Sequence, residues 1–189
     1  MRVTTREIAA IDGDLVFVPD PERLVHLQLR RFAGCPVCSL HLRALTRRRA
    51  EIEAAGIREV VVFHSRAEDL RPFMAAVPFA VIADPDKSLY VELGAEAGVR
   101  ALLDPRAWLT IVVAILAAVW QVIRGRQPSP PFVPPGGRWG LPAEVLLDTE
   151  GRVLACKYGE HVDDAWSVDE LLAHARAARS AQTTLAAAH

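Results

Sequence analysis

The stretch from Leu24 to Leu45, LVHLQLRRFAGCPVCSLHLRAL, decides the fold. Its first half alternates, Val25, Leu27 and Leu29 against His26, Gln28 and Arg30, which predicts a strand running to Phe32 with one apolar face. Its second half opens on Pro36 and carries Val37, Leu40, Leu42, Leu45 and Ile52 until Gly56, the pattern of an amphipathic helix from Pro36 to about Ala55. Between the two lies Gly34-Cys35-Pro36-Val37-Cys38, a pair of cysteines at a strand-to-helix junction.

Short strands and helices alternate on either side. Leu15 to Val18 reads as a strand before the quoted stretch, and the β-branched run IREVVVF as a buried central strand ending near His64. A helix from Ala67 to Met74, the strand FAVIAD and a helix opened by Asp84-Pro85-Asp86 follow. PAEVLLDTEGRVLACKYG predicts a hairpin turning at Gly151, and Ser167-Val168-Asp169-Glu170 is a capping box that starts a last helix. The alternation predicts an α/β fold with a central mixed sheet flanked by helices. One domain over residues 1–180 is expected, interrupted by an insertion at about 95–138 and followed by a flexible tail over 181–189.

The chain has 189 residues, 51% of them hydrophobic and 24% charged, with a formal net charge of −1. That composition excludes a disordered chain, and the balance of charge argues against a nucleic-acid binder. The N-terminus has no continuous apolar stretch behind Arg2 and Arg6, so a cytoplasmic location is expected. Ala107 to Ile123, AWLTIVVAILAAVWQVI, lacks any charge. It is read as a helix that is buried or covered by a second copy, with contact to a membrane surface as the alternative; strands of one sheet on both sides argue against a crossing. QPSPPFVPPGGR beyond it is too rich in proline for helix or central strand.

A cysteine at a helix start meets unpaired N–H groups and the positive end of the helix dipole, both of which favour thiolate. Cys35 is therefore expected to have a depressed pKa and act as nucleophile, with Cys38, one turn inside the helix and more shielded, as resolving thiol. Two other readings of the pair stay open: a zinc site, which would have to recruit His41 and Cys156, and a pair of inert buried thiols. Cys156, in a predicted strand, is read as a small buried apolar residue, and His41 with Arg47, Arg48 and Arg49 as a solvated helix face.

LRRFAGCPVCSLHLRAL, IREVVVFHS, PFAVIADPDKSLY, ALLDPRAW, GLPAEVLLD and YGEHVDDAWSVDELL, in that order, resemble bacterial peroxiredoxin-like proteins of the alkyl hydroperoxide reductase and thiol-specific antioxidant superfamily, in the branch called peroxiredoxin-like 2. The resemblance implies a thioredoxin-like fold with the redox cysteine at the start of the long helix. It also implies a cis proline packed against the pair, which places Pro142 as a substrate-binding residue. Typical peroxiredoxins carry a Pro-x-x-x-Thr-x-x-Cys signature and a distant Arg. Here Gln28 and Phe32 occupy the Pro and Thr positions, Pro142 falls near that of the Arg, and Arg138 or Arg31 would have to substitute. His161, Asp164 and Trp166 match a family stretch in which His161 could relay protons, or fix the last helix with Trp166.

The function expected from these readings is a thiol-dependent antioxidant oxidoreductase that reduces a peroxide or disulfide through a CxxC dithiol/disulfide cycle. It would need no bound cofactor or metal and would be recycled by a thioredoxin or glutathione-type reductant. The alternative is an interaction or redox-sensing protein on the same scaffold, dimerising or docking through the apolar helix.

Overall fold

The computed structural model describes residues 2–74, 76–95, 105–129 and 141–187. Among them seven strands form two sheets: a hairpin of β1 (Arg6–Ala9) and β2 (Leu15–Val18), and a five-stranded sheet of β3 (Leu24–Arg30), β4 (Ile57–Phe63), β5 (Ala80–Ala83), β6 (Ala143–Leu147) and β7 (Val153–Tyr158). The large sheet runs β5-β4-β3-β6-β7. β3 is parallel to β4, and β4 to β5, while β6 is antiparallel to both β3 and β7. The mixed sheet matches the expected class; β1, with only four residues and no apolar run, had no sequence signal.

Both faces of the sheet are covered. Leu24, Ile57, Val61, Phe63 and Leu146 pack under α1 (Pro36–Arg47), α2 (Arg49–Ala54), α3 (Ala67–Met74) and α6 (Val168–Ala187). Val25, Leu27, Leu29, Val60 and Val62 pack under the β1–β2 hairpin and α4 (Ser88–Glu92). The polar residues of β3, His26, Gln28 and Arg30, are buried along with its apolar ones.

The single helix read from Pro36 to about Ala55 is two. Arg48 leaves helical geometry at φ −110°, ψ 20°, and its N–H falls back on Leu45 and Thr46 carbonyls. Its guanidinium is held by Glu51 and by Asp169 of α6 at 2.7 and 2.8 Å, so a tertiary contact fixes the break. α4 starts later than Asp84-Pro85-Asp86 suggested: Lys87 at φ 58° precedes it, and the Asp84 carboxylate accepts from Ser88 and Leu89 amides at 3.0 and 2.9 Å. The capping box at α6 is present, with Ser167 and Glu170 bonded reciprocally, and the helix continues to Ala187 through the stretch read as a tail. Cys156 is exposed rather than buried, because β7 is the edge strand of the sheet.

The apolar helix, α5 (Pro105–Ile123), is there, but its burial is slight. It rests on the α1 side through small residues, Ala114 at 1% exposure and Ala118 at 7%, and leaves Trp108, Leu109, Leu116, Trp120 and Ile123 more than half exposed. Among the described residues no helix is long and apolar enough to cross a membrane.

Candidate functional site

The cysteine pair sits at the carboxyl end of β3, where the parallel strands β3, β4 and β5 all point. Gly34 at φ 75° lets the chain turn from strand to helix, with the Phe73 ring so close that a Cβ at this position would stand 2.8 Å from it. The Ala33 amide donates to Ser65 Oγ at 3.0 Å, tying the turn to the end of β4. Cys35 is then the N-cap of α1: its Sγ accepts from the Cys38 amide at 3.4 Å, and its carbonyl accepts from the Ser39 amide at 3.0 Å.

Arg31 Nη2 donates to Cys35 Sγ at 3.0 Å. Both thiols are buried, Cys35 completely and Cys38 at 5% exposure, so the expected order of shielding does not hold. The Cys35 hydrogen bond, helped by Arg31 and Arg30 against burial, brings Cys38 down to about 5, while burial and the neighbouring Cys38 push Cys35 well above the ordinary thiol range. The depressed pKa expected of Cys35 alone thus belongs to the pair, because the two sulfurs compete for the same cationic corner. Arg31 stays firmly charged there: burial would lower its pKa, but the two thiols outweigh it.

Under the pair lies a buried polar strip that the sequence reading missed. Arg30 Nη2 donates to Glu144 Oε1 at 2.6 Å and to Gln28 Oε1 at 2.5 Å. Gln28 Nε2 bonds Glu59, and His26 Nδ1 lies 2.8 Å from the same carboxylate. Burial opposes protonation of His26, yet Glu59 and Glu144 raise its pKa. Glu144 Oε2 accepts from the Trp166 amide, fixing the turn before α6 to the sheet. His41 also faces this strip rather than solvent, its Nε2 3.5 Å from Glu144 Oε1, and burial with Arg30 holds it well below the ordinary imidazole value. Gln28, where a peroxiredoxin proline would stand, is thus a bridging residue of the strip, and Phe32 is a buried apolar residue of the turn.

Two more groups sit at the same strand ends. Tyr90 Oη bonds Arg30 and Val62 carbonyls. The His64 ring is 3% exposed, edge-on to Tyr90, and neither ring nitrogen has a hydrogen-bond partner among the described residues.

The other expected site residues fare differently. Arg138 lies outside the described residues, and Arg31 takes the place at the sulfur. The described cis peptide is Val18–Pro19; Leu141–Pro142 is not cis. Pro142 instead leads straight into β6, packs on Gly159 and accepts its amide at 2.8 Å, so the hairpin uses its backbone. His161 is engaged in the turn before α6, its Nδ1 accepting from the Asp163 amide at 3.3 Å, and Asp164 pairs with Lys157 at 2.6 Å. Trp166 is buried between the His26 and His174 rings, which supports the anchoring role read for it. Among the described residues no cluster of three His, Cys, Asp or Glu is placed to hold a metal ion.

Fold and site together define a thioredoxin-fold oxidoreductase of the thiol class. The family described as AhpC/TSA antioxidant enzyme matches residues 44–161, more than half of the chain, and the protein belongs to that family. The matched segment begins downstream of Cys35 and Cys38. Solved structures similar in fold include a putative thiol:disulfide interchange protein DsbE from Chlorobium tepidum, 17% identical with a TM-score of 0.57, covering 92% of this chain and 95% of that one. Peroxidoxin BcpB from Mycobacterium tuberculosis is 17% identical with a TM-score of 0.60, covering 94% and 95%. The reduced 2-Cys peroxiredoxin of Plasmodium vivax is 13% identical with a TM-score of 0.65, covering 96% and 82%. No curated protein matches by sequence.

Proposed function

We propose that Cys35 and Cys38 form the redox centre of a thiol peroxidase or disulfide reductase, with Cys35 as attacking sulfur and Cys38 as resolving thiol. The observation that carries this is the Arg31 guanidinium at 3.0 Å from Cys35 Sγ, at the start of α1. It holds the negative charge of the thiol pair before attack, which reaches the Cys35 sulfur as the Cys35 proton passes to Cys38, and it stabilises negative oxygen or sulfur during attack. With a hydroperoxide, the Cys35 sulfur attacks the terminal oxygen, the O–O bond breaks, and the alkoxide leaves with a proton as the alcohol. Cys38 then attacks the Cys35 sulfenic acid, the S–S bond forms and water leaves. The pair supplies two electrons, and an external thioredoxin-type dithiol or glutathione returns them by thiol-disulfide exchange. Pro142, one position beyond the Leu29–Ala143 register pair and so level with Arg30, is read as a wall of the substrate approach.

The test is peroxide and disulfide turnover by the wild type, Cys35→Ser and Cys38→Ser. Cys38→Ser is expected to stop at a sulfenic acid or mixed disulfide on Cys35, seen by mass spectrometry. Turnover that survives Cys35→Ser defeats the reading.

The exposed face of α5 favours self-association as a second feature. Its outer side carries Leu109, Val112, Leu116 and Ile123 without a charge, and the chain's net charge of −1 sets up little repulsion between copies. A dimer in light scattering that Leu116→Glu converts to monomer is the expected result; a wild-type monomer discards it.

A further inference from the structure

Resting on the dithiol reading above, we propose that His41 takes the proton of Cys38 when that thiol resolves, and passes it to solvent through a cleft between α1 and the start of α6. The need for such a residue follows from burial. Cys35 is 0% exposed and Cys38 5%, so water does not collect the proton directly. When Cys35 attacks as thiolate, the proton of the pair rests on Cys38, and that sulfur must lose it before it can attack in turn.

His41 stands three residues after Cys38 in α1, and residues so spaced lie on one face of a helix with about 5 to 6 Å between their Cβ atoms. Its Nε2 is buried 3.5 Å from Glu144 Oε1, yet has no hydrogen-bond partner among the described residues. Glu144 is already engaged, Oε1 accepting from Arg30 and Oε2 from the Trp166 amide. His26 repeats the pattern, its Nε2 3.9 Å from the same Oε1 and also without a hydrogen-bond partner among the described residues, but that ring is fully buried. Of the two imidazoles, His41 is the one with an outlet: its side chain is 15% exposed and lines a cleft of about 420 Å³. Asp163, Asp169 and Glu170 line the same cleft, so a proton arriving there meets carboxylates as well as water.

No hydrogen bond holds Nε2, so rotation of the side chain turns it from Glu144 towards the Cys38 sulfur without breaking one. Glu144 from β6, Arg30 and His26 from β3 and Lys157 from β7 surround the ring, and burial with the three basic neighbours keeps it neutral at pH 7. A neutral ring has one nitrogen free to accept, which suits it to act as general base for Cys38. The Cys38 S–H bond breaks as the imidazole takes the proton, and the Cys38 sulfur attacks Cys35. The S–S bond of the pair forms while hydroxide or the substrate thiolate leaves Cys35 with its electron pair. The imidazolium then yields its proton to the cleft, a release favoured by the same burial and basic neighbours. In the reductive half of the cycle Cys38 leaves as thiolate, and the proton returns through His41.

The test separates the two thiol steps. Reduced protein is mixed in stopped flow with equimolar dithiobis-nitrobenzoate, a disulfide whose aryl thiolate absorbs visible light. Attack by Cys35 releases one aryl thiolate and resolution by Cys38 releases the second; Cys38→Ser identifies the second phase by losing it. His41→Ala and His41→Gln are expected to slow that phase about tenfold or more, as loss of a positioned base does, and to leave the first phase within about twofold of wild type. Imidazole added to His41→Ala is expected to restore the second phase in proportion to its concentration and to leave the wild type unchanged. Glutamine fills the space and keeps a donor but carries no proton, so a normal second phase in His41→Gln would reduce His41 to packing and overturn the proposal. A slowed phase in His41→Ala that imidazole does not restore overturns it as well. A wild type that shows no second phase sinks the dithiol reading itself, and the role of His41 with it.

Discussion

Arg31 Nη2 and Cys35 Sγ meet at 3.0 Å across a turn of three intervening residues, so one loop supplies both the nucleophile and its counter-charge. Removing the guanidinium leaves a thiolate pair with only the helix start and Arg30 to hold it. Arg31→Met is expected to raise the lower pKa of the pair, now at about 5, by about one to two units, read from thiolate absorbance during a pH titration. Turnover at pH 6 should fall by about twofold to tenfold through the lost thiolate, with the acid limb of the pH profile moving up. Arg31→Lys should lie between, since an ammonium keeps the charge without the fork. An unchanged acid limb in Arg31→Met would remove Arg31 from the site.

Glu144 is a hub by geometry: one oxygen takes Arg30 at 2.6 Å and the other takes the Trp166 amide, with almost no exposure to water. Glu144→Leu would strand a buried guanidinium and a buried amide. The expected cost is about 3 to 5 kcal/mol of unfolding free energy, measured by urea denaturation. Glu144→Gln, which can still accept, should cost less. Equal, small losses in both variants would mean that water reaches the strip.

These two cases also mark what sequence can and cannot show. The strand, turn and helix around Cys35 are legible because periodicity, Pro36 and Gly56 act locally. Arg31 is four residues from Cys35 and within view, yet which of several arginines reaches the sulfur depends on the turn at Gly34. His26, Gln28 and Arg30 alternate with Val25, Leu27 and Leu29, and alternation encodes two faces and says nothing of what covers them. Their partners Glu59 and Glu144 arrive from β4 and β6, the latter more than a hundred residues away. Cys156 fails for the complementary reason: β7 is an edge only because of the order in which strands pair. The break at Arg48 depends on Asp169, which no local window contains.

Gly34 combines a positive φ with a ring in the way. Gly34→Ala is expected to destabilise the protein by about 1 to 2 kcal/mol from the backbone alone, with displacement of Phe73 added to it. Phe73→Ala should remove the second contribution and not the first. In a double-mutant cycle by urea denaturation, the combined loss is therefore expected to be smaller than the sum of the single losses. Strict additivity would show that the ring does not press on this position.

His64 is held at about 4 against an ordinary value of 6.5, chiefly by burial and then by Lys87, with Arg31 adding to it and Asp84 opposing. The folded protein thus prefers the neutral ring, and the unfolded chain binds a proton first as the pH falls. Stability from this group is complete above about 6.5 and is lost as the pH drops towards 4, at no more than about 1.4 kcal/mol per pH unit. His41, also depressed, acts in the same direction, whereas His26, raised, loses its contribution only as the pH climbs above 6.5. The lowered carboxylates Asp20, Asp164 and Glu170 act only nearer pH 4. His64→Phe keeps the ring against Tyr90 and gives up two nitrogens that have no hydrogen-bond partner among the described residues. Stability at pH 7 should hold or rise, and the slope of unfolding free energy between pH 6.5 and 4.5 should become shallower by up to one proton's worth. The same slope in wild type and variant would mean that another group takes up the proton.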